Sequence, residues 1–254
     1  MMCSSMKNQL VSIVTPSFNS AKSIGATIKS VQIQDYENWE MLIVDDCSTD
    51  NTREVVQAYA DKDHRIKLIA RKWNAGPAVT RNRAISVASG RYIAFLDSDD
   101  IWYPEKLTKQ IEFMRSNDVA FSYTSYRRVH VDEHEIGFVS APASLTYYDV
   151  LKTNSIGCLT ACYDTEKLGK VYMPNISKRQ DLGLWLKILK RIDKAYGIQE
   201  CLADYNVGIS TVSSNKITAA KYQWRVYREV ENLPFWRSLY YFTTYAYYAI
   251  TRRV

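Results

Sequence analysis

The chain has 254 residues, of which 46% are hydrophobic and 24% charged, and its formal net charge is +6. This composition is typical of a globular protein with one large domain, or one domain with an appendage. The net charge allows an anionic partner, but no lysine-rich run or known nucleic-acid motif is present, so we expect no nucleic acid. The three histidines are too scattered for a metal cluster, and the five cysteines are expected to be free thiols of a reducing cytoplasm. No signal peptide is expected, because the first residues contain no long apolar run.

Apolar runs of strand length alternate with segments of helical spacing along the first part of the chain. The runs cover 10–16, 39–44, 66–70 and 91–96, and the helical segments cover 21–33, 53–60 and 74–85. Strands that alternate with helices in this way predict a parallel sheet with right-handed crossovers. The sequence therefore predicts an α/β fold with a Rossmann-like, mostly parallel central sheet flanked by helices.

Polar residues follow three of these strands at the point where each strand ends. They occupy 15–19 (Thr-Pro-Ser-Phe-Asn), 45–46 (Asp-Asp) and 97–99 (Asp-Ser-Asp). Because the carboxyl ends of parallel strands meet at one edge of the sheet, where open α/β sheets bind ligands, these residues predict a site. The sequence has no G-x-G-x-x-G after the first strand and no P-loop motif, which argues against a dinucleotide dehydrogenase or a P-loop ATPase.

The turn after the fourth strand carries three carboxylates, Asp97, Asp99 and Asp100. Hard cations such as Mg²⁺ or Mn²⁺ prefer oxygen ligands and are often held by one or two carboxylates together with substrate phosphates. In the helix that follows, Pro104 suits the first turn and Glu105 suits the positive end. A solvated turn that caps this helix is the alternative that the turn alone leaves open.

The second half of the chain has a less regular pattern. It predicts a strand over 119–126, an exposed hairpin over 129–139, short helices over 146–152 and 167–170, and a helix over 180–190. Asp181 falls in the first turn of the last of these helices, directly behind Lys178 and Arg179. As a residue type in that position, Asp181 is equally suited to capping the helix.

The C-terminal part, 222–248, interleaves aromatic residues with arginines. The stretch 238–251 is too short to span a bilayer, but it suits a helix that lies in the membrane interface with its tyrosines at headgroup depth. A helix packed back on the domain, or a dimer contact, explains the same composition. The sequence leaves these alternatives and the oligomeric state open.

Four motifs together resemble family 2 of the inverting glycosyltransferases, which have a GT-A fold. They are Thr15-Pro-Ser-Phe-Asn19, Val44-Asp-Asp-Cys-Ser48, Asn74-Ala-Gly with Arg81-Asn82, and Phe95-Leu-Asp-Ser-Asp-Asp100. Each motif is weak alone, but all four occur in the family's order and spacing, and the resemblance covers roughly residues 8 to 215. It implies a GT-A domain over 1–215, with a nucleotide-binding half of about 8–117 and an acceptor half of about 118–215. Residues 216–254 would then be a C-terminal helical extension.

The resemblance implies a role for each matching residue. The nucleoside is expected to contact Thr15, Pro16, Ser17, Asn19 and one carboxylate of Asp45 and Asp46, with Asp45 on the base. Gly76 and Arg81 are expected to line the same pocket. The sequence 97–99 resembles the family's D-x-D motif, with Asp99 as the direct metal ligand, Asp97 on the ribose or the metal, and Ser98 beside the donor. Without the resemblance, the residue pattern predicts a turn at Asp45 and Asp46 and places Arg81 on a solvated helix face.

Asp181 matches the position of the family's catalytic base. The family often has Glu-Asp there, whereas this chain has Gln180 before Asp181. The segment 205–214 resembles the one that closes over the diphosphate. The family commonly has Arg and His where this chain has Asn206 and Gly208, which leaves fewer protein ligands for a metal and the roles of Ser210, Thr211 and Ser213 open.

The resemblance implies an inverting, metal-dependent glycosyltransferase that uses Mn²⁺ or Mg²⁺ and forms a β-glycosidic bond. The expected donor is a UDP-sugar such as UDP-Gal, UDP-Glc or UDP-GlcNAc. The expected acceptor is a polyprenyl-diphosphate-linked saccharide of O-antigen, capsule or exopolysaccharide synthesis, at the inner face of the cytoplasmic membrane and with peripheral contact through 222–254. The alternatives are a nucleotidyltransferase, which usually has a phosphate loop after the first strand, and a non-catalytic module that binds a nucleotide or a sugar.

Overall fold

The computed structural model describes residues 9–130, 134–207 and 216–251. Its first part alternates strands and helices as the sequence predicts. The elements are β1 (Val11–Ser17), α1 (Ile24–Gln32), β2 (Trp39–Asp45), α2 (Thr52–Ala60), β3 (Ile66–Ala70), α3 (Pro77–Val87) and β4 (Tyr92–Phe95).

The second part adds shorter elements that surround the end of this sheet. They are β5 (Ile101–Trp102), α4 (Lys106–Ser116), β6 (Phe121–His130), β7 (Glu135–Val139), β8 (Ser144–Leu145), α5 (Tyr147–Lys152), β9 (Cys162–Asp164), α6 (Thr165–Leu168), α7 (Gln180–Leu189) and β10 (Ala195–Val207). A single 3₁₀ turn, Cys158–Thr160, precedes β9. The tail consists of α8 (Lys216–Arg225), a π-helical turn (Val226–Val230) and α9 (Phe235–Thr251).

The strands form one mixed sheet in the order β3-β2-β1-β4-β9-β6-β10-β5, with β7 on β6 and β8 on β10. As predicted, β1 is parallel to β2 and to β4, and β2 is parallel to β3. Ser17 is in register with Asp45, and Val14 with Phe95. The carboxyl ends of β1, β2 and β4 therefore lie side by side, which brings the three polar segments of the sequence to one edge.

Several features differ from the prediction, among them the start of α4 and the strand β10, and the short strands β5, β8 and β9 were not predicted. Helix α4 begins at Lys106 with Glu105 as its N-cap, so Pro104 precedes the helix rather than lying in its first turn. The sequence pattern also missed β10, which pairs with β6 but changes register near Cys201. Because the irregular pairing leaves much of the strand half-exposed, its residues lack the clean apolar alternation that marks a strand.

Buried residues cover both faces of the sheet, and the packing on one face fixes helix α7. Trp185 of α7 is fully buried. The centre of its ring lies 5.5 Å from the centre of the Phe95 ring on β4 and 5.1 Å from the centre of the Phe121 ring on β6. Large buried aromatic side chains dominate the energetics of such contacts. This packing holds the first turn of α7, which contains Asp181, at the edge where the strands end.

One face of the tail packs on the domain. Val226 and Tyr227 lie in the same hydrophobic core as α7, and the Tyr227 hydroxyl donates a 2.6 Å hydrogen bond to the carbonyl of Leu151 in α5. The ring of Tyr241 on α9 lies 6.2 Å from that of Tyr227. Within the described residues, no helix combines the length and the apolar character needed to cross a bilayer. A domain boundary near residue 215 stays a prediction.

Candidate active site

The end of β1 supplies two hydroxyl groups to the polar edge of the sheet. The side chains of Thr15 and Ser17 are buried, with Pro16 half-buried between them. Within the described chain, neither hydroxyl oxygen has a hydrogen-bond partner. Buried polar groups in proteins are usually hydrogen-bonded, so each unpaired group needs an explanation. Their contact with a nucleoside stays a prediction.

The carboxylates of Asp45 and Asp46 stabilise the loops around this edge by accepting hydrogen bonds. The Asp45 side chain is fully buried and accepts hydrogen bonds from Ser48 and, at 2.5 Å, from Nε of Arg53. The Asp46 carboxylate accepts the backbone N–H of Gly76 at 2.7 Å and that of Ala75 at 3.0 Å. Both aspartates therefore stabilise turns in this structure, and the contact of Asp45 with a base stays a prediction.

The loop after β1 is hydrogen-bonded to the turn after β4, residues 97–100, which we call the acidic turn. Asn19 has a left-handed backbone (φ 51°), and its side-chain oxygen accepts the N–H of Thr49 at 2.8 Å. The hydroxyl groups of Ser20 and Ser98 are hydrogen-bonded to each other at 2.8 Å. These bonds join the loop that follows β1 to the loops after β2 and β4. The structure thus brings Asn19 and Ser98 to the same edge as Thr15 and Ser17.

Arg81 is buried against the acidic turn. Its side chain projects from α3, is 7% exposed, and donates a 2.5 Å hydrogen bond from Nη2 to Asp97. Burial acts to lower the pKa of Arg81, but Asp97 and other nearby acidic groups, Asp181 among them, raise it on balance, so the guanidinium stays charged. The alternative of a solvated helix face is therefore wrong. Nε and Nη1 of Arg81 have no hydrogen-bond partner within the described residues, which again suits a ligand nearby.

Asp99 and Asp100 differ in their surroundings. Asp100 is 1% exposed and accepts the backbone N–H of Asn206 at 3.0 Å. Burial, followed by the charges of Asp99 and Asp97, raises its pKa well above the ordinary value. Asp99 reaches solvent, yet desolvation by the surrounding protein and the charge of Asp97 raise its pKa to about 6. The acidic turn thus concentrates more negative charge than its own surroundings favour.

A cleft of about 690 Å³ opens between the acidic turn and the first turn of α7. Its lining includes Arg81, Asp97, Asp99, Asp100 and Asp181. The Asp181 carboxylate accepts a 3.3 Å hydrogen bond from the amide of Asn154. A volume of this size is in the range of clefts that hold small ligands. The structure therefore brings the carboxylates of the acidic turn and the predicted base into one cleft, although they lie far apart in sequence.

Comparison with known proteins identifies the family. The sequence matches the family model described as Glycosyl transferase family 2 over residues 12–166. The putative teichuronic acid biosynthesis glycosyltransferase TuaG of Bacillus subtilis (strain 168) is 49% identical to this chain, covering 96% of it and 98% of TuaG. The chain belongs to glycosyl transferase family 2.

One further relative and one solved structure are also similar to this chain. The Escherichia coli UDP-Glc:alpha-D-GlcNAc-diphosphoundecaprenol beta-1,3-glucosyltransferase WfgD is 41% identical to the present family 2 enzyme, covering 94% of this chain and 93% of WfgD. Among solved structures, S. aureus TarS 1-349 in complex with UDP-GlcNAc has a TM-score of 0.72 at 20% identity, covering 96% of this chain and 74% of that one. The likeness to this structure confirms the predicted GT-A fold.

The acidic turn of this family 2 glycosyltransferase suits a divalent cation by its chemistry. The described residues contain no group of three His, Cys, Asp or Glu side chains close enough to hold a metal by themselves. Asp99 lies in the cleft, where desolvation and then the charge of the neighbouring Asp97 raise its pKa. A cation bound by carboxylates and by the phosphates of a ligand would relieve this repulsion, and Mg²⁺ and Mn²⁺ are often bound in that way. The residues present therefore fit such an ion, with Asp99 and Asp97 as its expected protein ligands.

The cleft also contains residues that the sequence reasoning did not select. Asn154, Cys158 and Arg128 line it, as do Lys178 and Arg179. Burial raises the pKa of Cys158 well above its ordinary value, so this thiol stays protonated. No local pattern marks these positions, which come from different parts of the chain. Arg128 lies on β6, Asn154 and Cys158 lie between α5 and β9, and Lys178 and Arg179 directly precede α7. Ser210, Thr211 and Ser213 lie outside the described residues, so the predicted closing segment is described only as far as Val207.

Proposed function

We propose that this family 2 enzyme transfers a sugar from a UDP-sugar to a lipid-diphosphate-linked saccharide, with inversion at the anomeric carbon and with help from a divalent cation. The observation that carries the proposal is the shared cleft, which is lined by the acidic turn on one side and by Asp181 on the other. WfgD supports the donor and the acceptor, because its name specifies UDP-Glc and GlcNAc-diphosphoundecaprenol. We infer from it that the acceptor sugar of this protein is also an N-acetylglucosamine on a prenyl diphosphate.

In the proposed reaction, Asp181 acts as the general base. An acceptor hydroxyl is a weak nucleophile, so a carboxylate removes its proton as the oxygen attacks the anomeric carbon. The new C–O bond forms on one face of the sugar while the bond to the nucleoside diphosphate breaks on the other. The proton passes to Asp181, and the electron pair of the broken bond leaves with UDP. Asn154 holds the Asp181 carboxylate during this step through its amide.

The acidic turn and Arg81 act on the donor side of the cleft. A divalent cation on Asp99 and Asp97 would stabilise the negative charge that develops on the leaving diphosphate. The charged guanidinium of Arg81 fixes the Asp97 carboxylate through its bond from Nη2. The hydroxyl groups of Thr15 and Ser17, which have no hydrogen-bond partner within the described residues, would contact the nucleoside, as the resemblance to the family implies.

Nucleotide binding is the first test of this proposal. We expect UDP to raise the melting temperature in the presence of Mn²⁺ and to have little effect with EDTA, because ligands that bind only the folded state stabilise it. The Asp99→Asn variant should lose most of the Mn²⁺-dependent shift. Transfer is then assayed from UDP-Glc, UDP-Gal and UDP-GlcNAc to GlcNAc-diphosphoundecaprenol. A shift with UDP but no transfer would favour a binding module, and a shift with nucleoside triphosphates alone would favour a nucleotidyltransferase.

We also propose that α9 docks the enzyme on the inner face of the cytoplasmic membrane, where a prenyl-linked acceptor is found. Trp236, Tyr240, Tyr247 and Ile250 repeat at helical spacing and are 76%, 58%, 63% and 78% exposed. The opposite face of α9 packs on the domain. The helix has no acidic residue and carries Arg237. Exposed tyrosine and tryptophan beside a basic residue are typical of helices that lie in a membrane interface.

Vesicle flotation tests this docking surface. We expect the triple variant Trp236→Ser, Tyr240→Ser, Tyr247→Ser to bind phosphatidylglycerol-containing vesicles about tenfold or more weakly than the unmodified protein, because it loses most of the exposed aromatic area. The matched control changes Trp73, Tyr172 and Tyr196 to serine, since these residues are also exposed but lie outside the tail. Equal binding by the two triple variants would contradict the proposed docking.

A further inference from the structure

The part of the cleft around Asp181 carries positive charges that the proposed chemistry on the donor side does not use. Arg128 of β6 and Arg179, the N-cap residue of α7, both line the cleft that contains Asp181. Arg127, the neighbour of Arg128, is bonded instead to Asp204 by two hydrogen bonds of 2.8 and 2.9 Å. Arg128 and Arg179 are half-buried, so their charges act in surroundings that screen less than bulk water.

We propose that Arg128 and Arg179 form an anion subsite for the diphosphate of the acceptor. The proposal rests on the function proposed above and names the part of the acceptor that these residues recognise. The arginine fork is suited to phosphate, since it offers several N–H donors in a plane and stays charged. The donor also carries a diphosphate, so the position of the arginines relative to the base decides between the two.

Asp181 connects this subsite to the acceptor. A general base must contact the attacking hydroxyl, so the acceptor sugar lies beside Asp181 in the proposed reaction. In a sugar linked to a lipid diphosphate, the diphosphate is only one sugar ring away from the ring hydroxyls. Arg179 is two residues before Asp181 and lines the same cleft. The donor side has its own cation in Arg81, which is bonded to Asp97.

The tail helix holds Arg179 in place. Arg179 has a left-handed backbone (φ 62°), and its Nη2 donates a 3.0 Å hydrogen bond to the hydroxyl of Tyr245 on α9. The guanidinium also lies 5.6 Å from the centre of the Tyr245 ring. This bond uses one of the N–H donors of the guanidinium, and the remaining donors are available to a phosphate. Tyr245 is therefore a positioning residue, and the helix that bears the exposed aromatic residues also supports the anion subsite.

Binding of two matched lipids tests the subsite independently of catalysis. The probes are undecyl-diphosphate-linked N-acetylglucosamine and the undecyl glycoside of the same sugar, each titrated with the full chain in the presence of UDP and Mn²⁺. We expect the unmodified protein to bind the diphosphate lipid more tightly. Arg128→Gln and Arg179→Gln should each weaken that binding by about 10- to 100-fold, in the range of a lost charge-assisted hydrogen bond, and should change binding of the glycoside by less than about threefold.

One further variant and one control complete the test. Tyr245→Phe keeps the ring and removes the hydroxyl, so we expect a loss of about three- to tenfold for the diphosphate lipid alone. Arg83→Gln, at an exposed arginine of α3, should change neither lipid's binding. The melting-temperature shift with UDP and Mn²⁺ reports folding and donor binding, and it should be the same in all variants.

Each contrary result has its own meaning. Equal affinity of the unmodified protein for the two lipids, or an equal loss on both lipids in the arginine variants, would overturn the acceptor subsite. A loss of the UDP shift in the arginine variants would assign these residues to the donor diphosphate and would also overturn it. Selective binding of the diphosphate lipid without any sugar transfer would support the subsite while contradicting the proposed transferase function.

Discussion

Replacing Asp181 with asparagine should lower the rate constant of sugar transfer by about 10²- to 10⁴-fold, the range that a general base contributes. Asparagine has nearly the same shape and can still bond the amide of Asn154, but it cannot accept the proton of the acceptor hydroxyl. The melting temperature and its shift with UDP and Mn²⁺ should change little, because in the proposed reaction Asp181 contacts the acceptor rather than the nucleotide. Initial rates at saturating donor and acceptor measure the effect.

Asp193→Asn is the matched control for this variant. Asp193 is exposed and lies just beyond the C-terminal end of the same helix, so the substitution removes an equal charge away from the cleft. We expect it to retain full activity. If Asp181→Asn also retained full activity while binding UDP normally, Asp181 would be a first-turn acid that caps α7, and another group would have to serve as the base.

The polar edge of the sheet, where the donor is proposed to bind, was predictable because it is built from local patterns. Each of β1, β2 and β4 is a short apolar run that ends in polar residues, and parallel strands necessarily place such ends together. Register pairing of Ser17 with Asp45 is the physical result of that rule. Individual roles were harder to predict. Asp45 and Asp46 are both engaged in turn hydrogen bonds, so the motif that suggests nucleotide binding also carries out a structural task.

The acceptor side could not be predicted to the same extent, because it depends on contacts between distant segments. Arg128 lies on β6 in register with Tyr205 of the irregular strand β10, whose pattern does not mark it as a strand. Arg179 is set by a left-handed backbone and by Tyr245, which is 66 residues further along the chain. A half-buried arginine has no sequence signature that separates it from a solvated one. In the same way, the composition of the tail left open whether it lies in a membrane interface, packs on the domain or forms a dimer contact, and it did not show which of its faces packs on the domain.

A second prediction with a large expected effect concerns the stability of the fold and the buried lysine at the start of α4. Lys106 is fully buried, and its Nζ has no hydrogen-bond partner among the described residues. The ammonium lies 3.5 Å from the centre of the ring of Trp102. Trp102 lies on β5, just after the acidic turn. Burial lowers the pKa of Lys106 to about 7, against an ordinary value of 10.5. The charged form therefore destabilises the folded protein, in spite of the cation–π contact.

We expect Lys106→Met to increase the free energy of unfolding by about 2 to 5 kcal/mol at pH 6.5. The upper figure follows from about 1.4 kcal/mol for each pKa unit, and the lower one allows for the lost cation–π contact and for relaxation around the charge. Methionine fills a similar volume and needs no hydrogen bond. Urea unfolding of both proteins at a series of pH values gives the difference.

The sign of the pH dependence separates burial of a charge from simple repacking. The folded-state pKa lies below the unfolded one, so the unfolded chain holds the proton more tightly between about pH 7 and 10. The unmodified protein therefore regains stability as pH rises through that window, and the advantage of Lys106→Met should shrink by about 1 kcal/mol per pH unit. Lys29→Met, at an exposed lysine of α1, should show no such trend. An advantage that stayed constant from pH 6.5 to 9.5 would mean that Lys106 is already neutral or solvated in the folded protein, and its burial would then carry no electrostatic cost.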